Sequence, residues 1–351
     1  MNRPAHLPRL DGLRGVAALG VLIFHMRIIS SLGPSPFQEI IGIEWLQHHG
    51  WTLVDLFFVL SGFVFAHCYL ENGKMRKGVT LSRFAWSRFA RLWPLHAAML
   101  AFAILVMRED PSTTIENITL SIGFLHIFIE EKNVLNAPAW SVSVEMACYA
   151  IFSIAALTGK RAMMIITALS IFIGAYLLCA DISEMLSRGL IGFFSGVALR
   201  SVKDKTDAIP SIIILPAAIL PFIVETDATG LIINALLGWP AVLLLAMRTK
   251  LLELRAFQWV GDRSYAIYMS HVPILLLVGS LFQQNLPVGP TSSAAATLLV
   301  MIIVMVLSDI LYRNLERPAQ HYLNHRFWSK PEDKGQQHVF AVGRKNNADH
   351  I

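Results

Sequence analysis

The sequence predicts an all-α polytopic membrane protein, with about ten transmembrane helices in one bundle and a short re-entrant or interfacial segment near 118–129. Three observations lead there. Of 351 residues, 55% are hydrophobic and only 15% charged, a balance far from that of a soluble domain. Mean hydropathy is +0.55. The apolar residues also gather into runs near 11–30, 51–70, 92–107, 139–158, 162–179, 185–199, 208–224, 228–247, 264–282 and 294–312, and a helix needs roughly 20 apolar residues to cross a hydrocarbon core. The runs at 92, 185 and 208 are the shortest of these.

A further run, 118–129, falls well short of that length. Cytoplasmic loops carry the excess of Lys and Arg, so the basic residues decide whether it crosses. If it does not, all but four of the 29 lysines and arginines share the side of the N-terminus, and Arg27, Arg108, Lys132 and Arg188 lie opposite. If it does, every later loop changes side and the split becomes 11 against 18. Ten spans with both termini in the cytoplasm are therefore expected. The membrane core is placed at 1–325 and a polar cytoplasmic tail at 326–351.

A net charge of +5 invites a nucleic-acid reading, but the basic residues sit in short clusters between apolar runs, as membrane proteins distribute them. No nucleic-acid partner is expected. Cys68, Cys148 and Cys179 lie inside apolar runs without metal-ligand spacing, which supports neither a disulfide framework nor a metal site. The first apolar run continues past His25 without a small-residue cleavage site, so it reads as a retained helix.

That run, RLDGLRGVAALGVLIFH from Arg9 to His25, carries titratable groups into what otherwise reads as a span. At about 100° per residue, Arg14 and His25 fall on one face, and a rise of about 1.5 Å per residue sets His25 roughly 16 Å deeper. Asp11 lies on the same side, three residues before Arg14. Interface anchoring and a satisfied bundle histidine would account for these residues. An ionisable group within a span, however, usually faces the bundle interior or a watery cavity and marks function.

The second run, GWTLVDLFFVLSGF, carries Asp55 near the outer interface and Ser61 and Gly62 at mid-span, where small residues also serve close helix packing. SRFAWSRFARLWP follows, with Arg83, Arg88 and Arg91 on one arc of a helix and Trp86, Phe89 and Trp93 on the other side. Such a basic face either anchors the helix at the interface or clamps phosphate, which suits the guanidinium fork. PAWSVSVE sets Ser141 and Glu145 four apart on one face, with Trp140 at the outer interface, where an aromatic belt would also put it. GDRSYAIYMSHVP places Ser264 and His271 on one face, with Tyr268 about one turn before His271. YRNLERP closes the last span with Arg313 and Glu316 at pairing distance, an ion-paired helix end.

In this order DGLRG with its downstream histidine, VDLFFVLSGF, RFARLWP, WSVSVE, GDRSYAIYMSHVP and YRNLERP run from Asp11 to Pro318, and the set resembles the integral-membrane acyltransferase 3 family. Departures are small. His96 stands where the RFARLWP run often continues with tyrosine, and Val142 and Val144 stand where leucine is usual. The resemblance implies a core without a fused hydrolase-like domain, in a bacterial inner membrane. It would move an acyl group, commonly acetyl, from cytoplasmic acetyl-CoA or another acyl-CoA to a hydroxyl of an extracytoplasmic glycan or glycolipid, such as exopolysaccharide or lipopolysaccharide.

The resemblance also matches His25 to the family's catalytic histidine, and Arg14, Arg88 and Arg91 to arginines of activity or donor binding; Asp11 joins them as the neighbour of Arg14. Coenzyme A has its phosphates at one end and its thioester at the other, so arginines at the cytoplasmic mouth and a histidine deeper in suit it. His25, with an unperturbed pKa of about 6.5, would act as general base, with Glu145 or Asp55 orienting it as a carboxylate orients a catalytic base. Ser61, Trp140, Ser141, Tyr268 and His271 complete the candidate residues. The expected partners are acyl-CoA, membrane lipid and a glycan acceptor, with no metal. A secondary transporter would also use buried ionisable groups, but it typically shows repeated halves, and 1–150 and 160–310 do not correspond. A sensor gives no reason for a matched His and Arg face.

Overall fold

In the computed structural model of the chain, the described residues are 6–28, 41–77, 79–128, 134–285 and 289–328. Lys132, residues 29–40 and the tail from 329 lie outside them. The helices are α1 (Pro8–His25), α2 (Ile41–His49), α3 (Leu53–Tyr69), α4 (Leu81–Val106), α5 (Ile115–Ile122), α6 (Ala139–Thr158), α7 (Lys160–Cys179), α8 (Glu184–Thr206), α9 (Ser211–Ile223), α10 (Ala228–Ile233), α11 (Trp239–Ala246), α12 (Arg255–Asn285), α13 (Pro290–Leu311) and α14 (Arg317–Trp328). α14 carries helix past the boundary at 325.

Seven helical stretches among the described residues are long and apolar enough to cross a membrane: Gly42–Tyr69, Leu81–Val106, Ala139–Thr158, Lys160–Cys179, Ala228–Ala246, Arg255–Phe282 and Thr291–Phe327. The chain is an all-α polytopic membrane protein. The other three predicted runs are also helices, and each departs from a plain apolar span. α1 carries Arg9, Asp11 and Arg14; α8 is charged at both ends; α9 has 13 residues, with Pro216 and Pro221 inside it. Of the 118–129 run, residues 118–122 fall in α5 and His126–Phe128 make one turn of 3-10 helix, while residue 129 lies outside the described residues. Neither is long enough to cross. α5 is tied to α4 by Trp93 Nε1, which donates to the Ile122 carbonyl (3.3 Å), and by His96 Nε2 at the Ser121 carbonyl (2.8 Å).

The one pair of strands among the described residues, β1 (Leu70–Glu71) and β2 (Lys74–Met75), is an antiparallel hairpin. Asn72 and Gly73 turn it at φ 51° and 74°; left-handed backbone at both turn positions matches the twist of the two strands. Lys74 lies on β2, and Arg76 follows it.

Contacts trace the two ends of the bundle. At one, Arg9 pairs with Glu253 (2.6 Å) and donates to the Met247 carbonyl, and Gln258 donates to the Pro8 carbonyl (2.6 Å). Arg248 donates there to the carbonyls of Thr206 (2.8 Å) and Ile209 (2.7 Å). At the other end, Arg188 of α8 reaches the Trp51 carbonyl (3.1 Å), and the Trp45 ring lies 4.8 Å from that of Phe222 in α9. α9 therefore runs from the first end to the second, and α10 and α11 return beside it.

Two helix pairs set the site. α1 packs along α12 and α3 along α8, both at close approach. A Cβ on Gly15 would lie 2.6 Å from the Gly261 nitrogen, and one on Gly62 would strike the Phe193 carbonyl oxygen. Where lipid removes the hydrophobic drive between helices, small residues allow the van der Waals contact that replaces it. Beside the second pair, aromatic rings of α3, α4, α6 and α8, among them Phe65, Phe84, Phe152 and Phe193, pack against one another.

Candidate active site

α1 ends at His25, whose Nδ1 lies 3.0 Å from the Val21 carbonyl one turn back and 3.2 Å from Nε2 of His271. The ring centroids are 4.9 Å apart. His271 is fully buried in α12, which the Gly15–Gly261 approach holds against α1. Its own Nδ1 lies 3.1 Å from the Ile267 carbonyl. One turn earlier, the Tyr268 ring lies 5.9 Å from that of His271, and its hydroxyl meets Oγ of Ser141 at 2.8 Å. Four of the expected residues, from three motifs, thus make one polar line from α1 through α12 to α6.

A second group forms between α3, α4 and α6. Ser61 donates to the Glu145 carboxylate, and its hydroxyl is 3.3 Å from that of Tyr149. Phe65 stacks on Tyr149 with centroids 4.2 Å apart, and the Arg88 guanidinium sits 5.2 Å above the Phe65 ring and 5.8 Å from that of Tyr69. Cation–π contact of this kind holds a guanidinium among aromatic rings. Tyr149 is absent from the sequence expectations, although it follows Glu145 by four residues and so shares its helix face.

Asp55 belongs to a third place. It is buried, and Nε of Arg188 lies 2.8 Å from its Oδ1. Arg188 also donates to Glu184 (3.2 Å) and lies over the rings of Trp51 (4.5 Å) and Trp140 (5.3 Å). Trp140 thus presents a face to a cation of its own chain. Among the described residues, Asp55 hydrogen-bonds with Arg188 and Glu145 with Ser61 and Tyr149, while the side chain within hydrogen-bond reach of His25 is that of His271. The structure brings neither of the two carboxylates to the imidazole. The reason is packing: Asp55 faces α8, whose buried arginine requires a counter-ion, and Glu145 faces α3.

At the far end of α1, Arg14 donates to Asp11 (3.0 Å), which also meets His6 (2.8 Å). Arg91 of α4 lies 3.5 Å from Glu316 and 3.5 Å from Gln320. The Arg313–Glu316 pair expected from YRNLERP does not form. Residues Tyr312–Glu316 make a π-helical turn, whose extra residue rotates the helix face. Glu316 is thereby buried toward Arg91, and Arg313 turns to Asp309 (2.9 Å), which also receives Arg263 (2.5 Å). No cluster of three or more His, Cys, Asp or Glu among the described residues could hold a metal ion.

The arrangement puts an imidazole with a neighbouring imidazole at one end of α1 and guanidinium groups toward the other, which can move a proton and hold an anion. The sequence model of the acyltransferase domain family, Acyl_transf_3, matches residues 7–313. O-acetyltransferase OatA of Staphylococcus aureus (strain NCTC 8325 / PS 47) is 22% identical over 392 residues, covering 96% of this chain and 61% of that protein. Peptidoglycan O-acetyltransferase OatA of Listeria monocytogenes serovar 1/2a is 23% identical over 373 residues, covering 90% and 56%. Protein 2 in picA locus of Rhizobium radiobacter is 32% identical over 203 residues, covering 52% and 97%. The chain therefore spans about three-fifths of the length of these OatA relatives. No solved structure matches it. With a family match that runs through both ends of α1 and on to Arg313 in the last motif, the chain belongs to the acyltransferase domain family.

Proposed function

We propose that the protein transfers an acetyl group from cytoplasmic acetyl-CoA to a hydroxyl of an extracytoplasmic glycan, across a bacterial inner membrane in which both termini face the cytoplasm. The observation that carries this reading is α1 itself. It bears the Asp11–Arg14 pair toward one end and His25 against His271 at the other, with about 16 Å of helical rise between Arg14 and His25. Such a separation suits a donor with phosphates at one end of a flexible arm and a thioester at the other. The names of the OatA relatives support acetyl as the group, and the Listeria name supports a glycan as the acceptor class.

In this mechanism the phosphates meet Arg14, Arg88 and Arg91, and the thioester reaches the His25 end. His25 takes the proton of the acceptor hydroxyl as that oxygen attacks the thioester carbonyl carbon. The carbon–sulfur bond then breaks, and the thiolate recovers the proton from the imidazolium. Glycan ester and free coenzyme A thiol are the products, with one proton moved and returned. General-base assistance of this kind contributes about 10²–10⁴-fold.

The test is transfer of labelled acetyl from acetyl-CoA by membranes that contain the protein. His25→Ala is expected to abolish transfer while the protein still inserts, and persistent transfer would refute the assigned base. Arg14→Ala and Arg88→Ala are expected to raise the apparent donor KM; an unchanged KM would remove the phosphate clamp. Sequential kinetics are expected of direct transfer, whereas a ping-pong pattern would indicate an acyl-histidine intermediate.

A further inference from the structure

We infer that His271 is the positioning residue that fixes the tautomer of His25, an inference that rests on His25 being the base. Carbonyl oxygens accept hydrogen bonds and cannot donate them, so a ring nitrogen that faces one carries the proton. Nδ1 of His271 faces the Ile267 carbonyl at 3.1 Å. In the neutral ring its Nε2 is therefore a bare lone pair. That Nε2 lies 3.2 Å from Nδ1 of His25, which also faces the Val21 carbonyl at 3.0 Å. Two acceptors converge on one nitrogen, and only an N–H satisfies both. The opposite tautomer would set the His25 lone pair against two others.

His25 is thus held as the Nδ1–H ring, with Nε2 left as the basic nitrogen. An acceptor placed behind the ring in this way sets which nitrogen of a histidine is reactive. His271 is suited to the task because it is rigid: it is fully buried, its Nδ1 is anchored on its own helix, and the Gly15–Gly261 contact keeps α12 against α1. When Nε2 of His25 takes the acceptor proton, the shared N–H bond to His271 becomes charge-assisted and strengthens. A carboxylate in this place would favour a charged resting ring. An imidazole fixes the orientation without adding charge.

The experiment compares His25→Ala, His271→Leu and His271→Gln in membranes, reading kcat and donor KM for labelled acetyl transfer. Leucine fills the volume but offers no acceptor; the glutamine amide oxygen can accept from His25 Nδ1. His271→Leu is expected to lower kcat about 10- to 100-fold, the range for removing a partner that orients a histidine, with KM unchanged. His271→Gln is expected to restore most of the loss. Two results overturn the inference: His271→Leu with wild-type kcat, which removes any need for orientation, or His271→Gln as inactive as His25→Ala, which makes the second imidazole a proton carrier itself. Activity surviving in His25→Ala would instead sink the base assignment, a separate outcome. If His271→Leu does not accumulate, nitrogen-15 spectra of histidine-labelled wild-type protein decide, because an Nε2–H ring at His25 contradicts the inference and an Nδ1–H ring supports it.

Discussion

Arg188 is the outlier of the charge pattern, a basic residue on the side that the ten-span expectation leaves nearly free of them, near the start of a predicted span. Its surroundings explain how a cation is tolerated there. Asp55 lies at 2.8 Å, Glu184 at 3.2 Å and the Trp51 carbonyl at 3.1 Å, with two indole faces around the guanidinium. A buried pair adds little against a well-packed apolar replacement, but removing one partner leaves an uncompensated charge at a cost of about 3–5 kcal/mol. Arg188→Met or Asp55→Leu alone is therefore expected to lower the thermal midpoint of the solubilised protein clearly, and Arg188→Met with Asp55→Leu is expected to recover much of the loss. Single variants as stable as the wild type would show that the pair carries no such penalty. Asp55 and Arg188 were each legible in the sequence as charges in apolar runs. Their partnership was not, because it joins α3 to α8 across more than a hundred residues and no local spacing encodes it.

Among the elements, the helices were legible and their phase was not always. Among the described residues, each of the ten apolar runs is helical, since apolar residues without strand alternation leave the backbone no other way to satisfy its polar groups in lipid. The Arg313–Glu316 expectation fails because a π-helical turn inserts one residue without any local sign, so an ideal 3.6-residue projection points Glu316 the wrong way. The Asn72-Gly73 hairpin carries a readable turn signal, but it lies within a stretch dominated by charge. The glycines of DGLRG and GDRSYAIYMSHVP have a sharper consequence. Gly15 and Gly261 bring α1 and α12 together, and that approach sets the His25–His271 distance. Gly15→Ala is expected to force the helices apart and cut kcat about 10-fold or more, given that about 1 Å of misplacement can cost 10²-fold. Gly42→Ala, where an added Cβ meets nothing within 4 Å, is the control expected to leave kcat unchanged. Equal activity in both variants would separate catalysis from this packing.

At the scale of the whole molecule, sidedness decides whether the proposed chemistry works, because that proposal needs the arginines to face coenzyme A and His25 to face the glycan. α9 is the hardest test of the ten-span arrangement. Its 13 residues rise only about 20 Å, against a hydrocarbon thickness of about 30 Å. Yet Phe222 near its end meets Trp45 at the His25 end, while Arg248 ties the residues before it to the opposite end. A bilayer thinned locally around this helix resolves the mismatch at modest cost. Single cysteines introduced in a background without Cys68, Cys148 and Cys179 can be probed with a membrane-impermeant maleimide on intact cells. Glu109→Cys, Ala180→Cys and Glu225→Cys are expected to react, and Asp204→Cys only after permeabilisation. Reaction at residue 109 with protection at 180 would mean that 118–129 crosses. The later helices would then be inverted, with the start of α12 on the outer side, and because α1 and α12 share their ends through the Gln258–Pro8 contact, the packed bundle itself would be contradicted.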